Sequence, residues 1–263
     1  MIEVSTLRAF AKEKNLAVDV VEKDYVLGWI LFGVASSALS GSLAFKGGTA
    51  LSKVYFPGNW RLSEDLDFTA VDDSEMNALG TGVLHELPTI VKNACGMDIT
   101  VKGKPLANPK FFRGMISYTG PLSRSKIKLE ISIEPFVGEI TRKSVPPAFD
   151  YPKFSVIVYA LDNLLSEKMR AIIERGKIRD YYDVWRLLKT QKFDRQEIKM
   201  LFLQKCKSKE VKFTDIEQMF PDDVAKKLEP YQETWLTRLN PDPLPPLGRM
   251  VEELKAMLKE ILT

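Results

Sequence analysis

The chain has 263 residues, 45% of them hydrophobic, and its 38 basic and 35 acidic side chains leave a formal charge of +3. This is enough apolar material for one large domain or two modest ones, and the near balance of charge excludes a global polycation that would announce nucleic-acid binding by composition alone. Two cysteines, Cys95 and Cys206, lie far apart without a CxxC or Cys/His cluster, which excludes a disulfide framework and a structural zinc site and points to reduced thiols.

The opening MIEVSTLRAFAKEKNL alternates charged and apolar residues and lacks the basic-then-apolar design of a signal peptide, so a cytoplasmic protein is expected. Helical periodicity runs from Ser5 to Lys14 and from Val18 to Leu39. The most apolar part of the second stretch, Val26 to Leu39, contains Gly28, Gly33, Ser36 and Ser37 and falls short of the roughly 20 residues of a membrane span. A buried helix is expected there, and no membrane partner. Strands are predicted at Ser63–Val71, Phe111–Tyr118 and Lys126–Glu134, with a longer helix at Ser74–Ala94. Proline-containing patches lie at Pro105–Pro109 and Ser144–Pro152, and the second marks the expected boundary between a domain of residues 1–152 and a mainly helical region of residues 153–263. Beyond it come a short β-rich run, Ser155–Leu161, and helices at Asn163–Glu174 and Arg179–Lys189, separated by the turn Arg175–Ile178. The proline-rich linker Asn240–Arg249 precedes a last amphipathic helix, Met250–Leu262. The expected class is α+β.

The informative stretch is FKGGTALSKVYFPGNWRLSEDLDF, Phe45 to Phe68. A short apolar run leads into Gly47, Gly48 and Thr49 and then a helical pattern, the order of a phosphate seat. Glycines permit close backbone approach, and amides and the Thr49 hydroxyl are hydrogen-bond donors for phosphate oxygens. A GGT alone is more often only a turn. Asp65 and Asp67, two apart in a strand, project from one face while Leu66 and Phe68 pack on the other. Two carboxylates held that close repel unless a cation lies between them, and hard oxygen ligands favour Mg²⁺ or Mn²⁺, which also bridge nucleotide phosphates. The bland alternative for an isolated DxD, two solvated acids, loses weight when the GGT and the DxD occur together.

The pattern G-[GS]-[ST], short helix, R-x-[ST]-x-D-x-D resembles the signature of the polymerase-β-like nucleotidyltransferase superfamily. GGTALSKVYF followed by RLSEDLDF is similar, more narrowly, to the AbiEii/AbiGii type of abortive-infection nucleotidyltransferase toxins. The later pieces that the resemblance implies stand in order: KLEISIE at Lys128–Glu134, SEKMRA at Ser166–Ala171 and IRDYYDVWRL at Ile178–Leu187. The resemblance spans roughly Val18 to Leu188, and the remaining C-terminal residues carry no motif of the family.

Alternation in KLEISIE puts Leu129, Ile131 and Ile133 on the core face and Lys128, Glu130, Ser132 and Glu134 on the other. The resemblance makes Glu130 the candidate third acid beside Asp65 and Asp67, with Glu134 as the substitute, against a reading as edge-strand charges. It likewise makes Lys168 the candidate for the β- and γ-phosphates, where the pattern alone allows a solvent-facing lysine, and Asp180 an active-site acid, with Asp183 in support, where helix-face pairing with nearby arginines is the plainer reading. Arg61 and Ser63 are candidates for orienting the acids or contacting phosphate. The single histidine, His85, is read as structural, since one histidine completes neither a zinc site nor a Ser/His triad.

The implied reaction is NMP transfer from an NTP, with metal at Asp65, Asp67 and Glu130, nucleotide contacts from Gly47, Gly48, Thr49, Arg61, Ser63 and Lys168, and Lys168 and Asp180 in catalytic roles. The resemblance implies an RNA acceptor, the tRNA 3′ end among the options, and a cognate antitoxin. Basic residues at Lys189–Lys212 suit an RNA backbone or a solvated helical face. The rivals are a nucleotidyltransferase acting on proteins or small molecules, and a catalytically silent module that binds nucleotide or a partner.

Overall fold

The structure, a computed structural model, describes residues 1–71, 76–105, 111–133 and 136–263. The chain is α+β and divides into two compact units: residues 1–136 with 140–159, and residues 137–139 with 160–263.

The first unit begins with helices α1 (Val4–Glu13) and α2 (Val18–Ala35). Helix α2 is buried on nearly every side, and its polar side chains find partners inside. Glu22 accepts from the backbone N–H groups of Leu122 and Ser123, and Asp24 pairs with Lys53 at 2.8 Å. The apolar pattern expected to run to Leu39 ends as a helix at Ala35, and Ala38–Gly41 forms a single 3₁₀ turn. Strand β1 (Leu43–Lys46) leads into α3 (Gly47–Ala50), which widens into a π-helical turn at Leu51–Tyr55. Strand β2 (Asp65–Ala70), helix α4 (Met76–Cys95) and strands β3 (Asp98–Pro105), β4 (Phe111–Thr119), β5 (Arg124–Ser132), β6 (Ile140–Val145) and β7 (Phe154–Tyr159) complete the unit.

The seven strands form one mixed sheet in the order β3-β4-β5-β2-β1-β7-β6. Strand β2 lies at its centre, antiparallel to β1 and parallel to β5. One face carries Phe45, Leu66, Phe68, Phe112, Leu129 and Ile131, all nearly or fully buried. The register places Lys46 opposite Asp67, Asp67 opposite Glu130 and Asp65 opposite Lys128, which puts a charged row on the other face. The prolines of Ser144–Pro152 fall on the connection from β6 to β7, inside the first unit, and the chain changes unit at Tyr159–Ala160. Among the described residues, strands β3 and β6 were not expected from the sequence.

The second unit is helical: α5 (Leu161–Arg175), α6 (Ile178–Thr190), α7 (Arg195–Ser208), the short α8 (Val224–Leu228) and α9 (Gln232–Trp235), and α10 (Leu247–Leu262). Helix α5 ends at Gly176, whose φ of 51° supplies the left-handed residue of a helix C-terminus. Both cysteines are free thiols. No helix among the described residues is long and apolar enough to cross a membrane.

Candidate active site

The glycine turn and the acids meet for a steric reason. Antiparallel pairing of β1 with β2 brings the start of α3 against the Asp67 side chain, and Gly47 sits there with φ of 78°. A Cβ at Gly47 would lie 2.5 Å from Asp67 Oδ2, so only glycine lets the backbone approach this closely. At Gly48 a Cβ would come within 2.9 Å of Arg61 Nη2 and 3.1 Å of Ser63 Oγ. Thr49 is buried, and its hydroxyl donates to the backbone carbonyl of Asp65, tying the turn to β2. The structure therefore brings together Gly47, Gly48, Thr49, Arg61, Ser63, Asp65 and Asp67 in the first unit. The proton of the Thr49 hydroxyl is engaged by protein, which leaves the turn's amides to address a phosphate. Arg61 is 1% exposed, and one of its guanidinium nitrogens donates to the Leu62 carbonyl at 3.2 Å.

Asp67 is the electrostatic centre. Burial, then the neighbouring charge of Asp65, push its carboxyl up to about 6, against the opposing pull of Lys46 and Lys128. A carboxylate so destabilised in its charged form is short of positive charge, and a hard divalent ion beside Asp65 and Asp67 would supply it; the two residues fit such an ion. Glu130 stands beside Asp67 in register, yet its oxygens are held by Arg113 Nε at 2.6 Å and Lys128 Nζ at 3.0 Å. Burial raises the Glu130 carboxyl, but Lys128 and Arg113 outweigh it and hold the group below its ordinary value. Among the described residues no three His, Cys, Asp or Glu side chains converge as a metal cage. The other candidate third acid, Glu134, lies outside the described residues.

Three cations of this face escaped the site list drawn from sequence. Lys46 faces Asp67 across the β1/β2 pair and donates to Ser132 Oγ at 3.2 Å. Lys128 Nζ lies 3.7 Å from Asp65 Oδ2, and Arg113 faces Glu130 across β4/β5. The available signals were the lysine directly before GGT and the alternation that placed Lys128 on the face of Glu130; Arg113 had none, because only strand register pairs it with an acid.

Lys168 and Asp180 belong to the second unit, where α5 and α6 bring them together. Lys168 is 7% exposed, which removes the solvent-facing reading. Its Nζ lies 3.2 Å from Asp180 Oδ1 and 2.9 Å from Asp183 Oδ2. Arg175 grips both oxygens of Asp180, each at 2.8 Å. Burial would raise the Asp180 carboxyl, but Lys168 and Arg175 overcome it and hold it well below the usual carboxylate range. His85 is exposed on α4.

A family model described as the AbiEii nucleotidyltransferase toxin of type IV toxin–antitoxin systems matches residues 29–258. Among solved structures the chain is similar to the MenT4 nucleotidyltransferase toxin of Mycobacterium tuberculosis H37Rv, with a TM-score of 0.64 and 18% identity over 100% of both chains. It is also similar to JHP933 from Helicobacter pylori, with a TM-score of 0.53 and 21% identity over 94% of this chain and 93% of that one. No curated protein matches it in sequence. With a family match over most of its length and the glycine turn set against paired aspartates, the chain belongs to the AbiEii nucleotidyltransferase toxin family and is a nucleotidyltransferase.

Proposed function

We propose that the protein is a metal-dependent nucleotidyltransferase that moves NMP from an NTP to an RNA acceptor and is restrained by a cognate antitoxin. The observation that carries the chemistry is the apposition of Gly47 to Asp67, with Asp65 on the same strand face. Asp65 and Asp67 would hold Mg²⁺ or Mn²⁺, with Glu130 as the assigned third acid. A divalent ion in such a site supplies positive charge to the phosphates and to the attacking oxygen. The backbone amides of Gly47 and Gly48 address phosphate oxygens, and Arg61 and Ser63 support the turn that presents them.

The acceptor hydroxyl attacks the α-phosphorus in line; a bond from its oxygen to that phosphorus forms as the bond to the β-phosphate bridging oxygen breaks, and pyrophosphate leaves. The hydroxyl proton passes to a carboxylate of the site, the role the resemblance gives to the third acid, Glu130. Lys168 and Asp180 enter through the family resemblance: Lys168 carries charge for the β- and γ-phosphates and Asp180 fixes its position. RNA as acceptor, the tRNA 3′ end among the candidates, rests on the same resemblance and on the basic residues of Lys189–Lys212.

The test incubates the protein with total RNA, Mg²⁺ and each nucleoside triphosphate radiolabelled at the α-phosphate, beside an Asp65→Ala/Asp67→Ala control. A discrete labelled RNA, reduced at least a thousandfold in the control, is expected, since removing such electrostatic groups costs on the order of a hundred- to a thousandfold each. Label on protein or a small molecule would keep the chemistry and overturn the acceptor.

A further inference from the structure

The second unit contains a cavity of about 640 Å³ that the reaction as described does not use. It opens around the turn between α5 and α6 and is walled on the far side by α8 and α9. Among the described residues its lining includes four cations, Arg175, Lys177, Arg179 and Lys227, and one carboxylate, Glu174. Glu174 is already paired with Arg170 at 2.7 Å, as Arg175 is with Asp180, so the cations Lys177, Arg179 and Lys227 outnumber any acid left in the lining. The cavity is therefore electropositive and selects an anionic occupant.

Its second property is aromatic. The Arg179 guanidinium lies over the Trp235 ring, 4.5 Å from its centroid, a cation–π pair at the cavity wall. Tyr231, also in the lining, is 55% exposed and so presents a large ring to an occupant. Flat rings and a guanidinium beside lysines are what a nucleobase and its flanking phosphates require together; an acidic peptide would use the lysines and leave the rings without a partner. Arg175 links the cavity to the site residues of its own unit, since it lines the wall and also binds Asp180, which in turn holds Lys168.

We propose that this cavity binds an unpaired nucleotide of the acceptor RNA, with the base against Tyr231 and the Trp235–Arg179 pair and the phosphates at Lys177 and Lys227. The assignment rests on the reading of RNA as acceptor, and two separate readouts keep the two apart.

The first readout is equilibrium binding of a short, fluorescein-labelled single-stranded RNA of mixed sequence to the full-length chain. Tyr231→Ala and Trp235→Ala are expected to weaken binding about tenfold, whereas Trp235→Phe, which keeps a ring, stays near wild type and guards against a folding defect. Lys177→Ala and Lys227→Ala are each expected to lower the slope of log affinity against log salt by about one. Nucleotide affinity should not move in any of these variants. Unchanged RNA binding in both Tyr231→Ala and Trp235→Ala would overturn the proposal, as would equal binding of polyglutamate that tracks the lysines and ignores the rings. The second readout is α-phosphate label transfer to total RNA by the same proteins. Label on RNA with unaltered binding in the ring variants removes the cavity alone; ring-dependent RNA binding with no label on RNA keeps the cavity as an RNA site and removes the acceptor reading beneath it.

Discussion

Asp67 shows how a single side chain couples stability to function. Its carboxyl is displaced from an ordinary 3.8 to about 6, so in the folded chain the protonated form is favoured. The stability this contributes is fully present below pH 3.8 and is lost as pH rises through about 6, which leaves a metal-free chain at pH 8 carrying a penalty on the order of 1–3 kcal/mol. Asp67→Asn is therefore expected to raise the Tm of the EDTA-treated protein at pH 8, to leave it nearly unchanged at pH 4, and to abolish transfer. Calorimetry with and without Mg²⁺ checks the sign: Mg²⁺ should stabilise wild type more at pH 8 than at pH 5, because protons compete for the same carboxylate. A variant less stable than wild type at pH 8 without metal would refute this account. Gly47 is the steric counterpart. Gly47→Ala forces a left-handed φ onto a side chain and drives a Cβ into Asp67 Oδ2, so a loss of about 1–2 kcal/mol is expected, with transfer lost well beyond what that destabilisation explains. Denaturant titration beside single-turnover transfer separates the two effects. The sequence made Gly47 and Asp67 legible as a joint motif; that one must be glycine because of the other depends on β1 lying beside β2, which no local pattern reveals.

At the level of strands and helices, legibility followed neighbours. Strands β2, β4 and β5 were readable because inner strands alternate apolar and polar residues against a packed face. Strands β3 and β6, to which the sequence reading assigned no element, are the two edges of the sheet. Their lysines and arginine, Lys102, Lys104, Arg142 and Lys143, mask the pattern, and charge is what keeps an edge from pairing with another chain. Helices α5 and α6 were placed to within a few residues by periodicity, but their charge cluster was not. Lys168 carries the sequence features of an exposed helix lysine, and only the packing of α5 on α6 sets it between Asp180 and Asp183. Asp180 thus supports this helix pair as well as the proposed chemistry. Asp180→Ala, which removes the acid shared by Lys168 and the half-exposed Arg175 while Asp183 stays beside Lys168, is expected to cost about 1–3 kcal/mol. Because the folded carboxyl is held below its ordinary 3.8, its stabilisation is present above that value and is lost as pH falls through the lower folded one. The Tm gap between wild type and Asp180→Asn should accordingly stay level from pH 8 to pH 5 and close below pH 4. A gap that widens on acidification would contradict the pairing.

For the molecule as a whole, composition was informative mainly by exclusion. A formal charge of +3 hides strongly local electrostatics: a mixed row of acids and bases on one sheet face, and an electropositive cavity in the helical unit. The division of the chain is similarly hidden. The proline patch at Ser144–Pro152 reads as punctuation between domains, yet it joins two strands of one sheet, because proline marks a turn inside a unit as readily as a border. Residues 137–139 belong to the helical unit although residues 140–159 return to the sheet, and Asn163, wholly buried, donates to the Glu139 carbonyl at 3.1 Å. This interleaving bears on how the chain is synthesised. Strand β7, which covers the outer side of β1, leaves the ribosome long after the glycine turn and the paired acids, so every shorter fragment carries an open sheet edge beside the glycine turn. A chain cut or stalled before Phe154 is a sticky, unfinished sheet, and the first unit closes only when translation has passed that point.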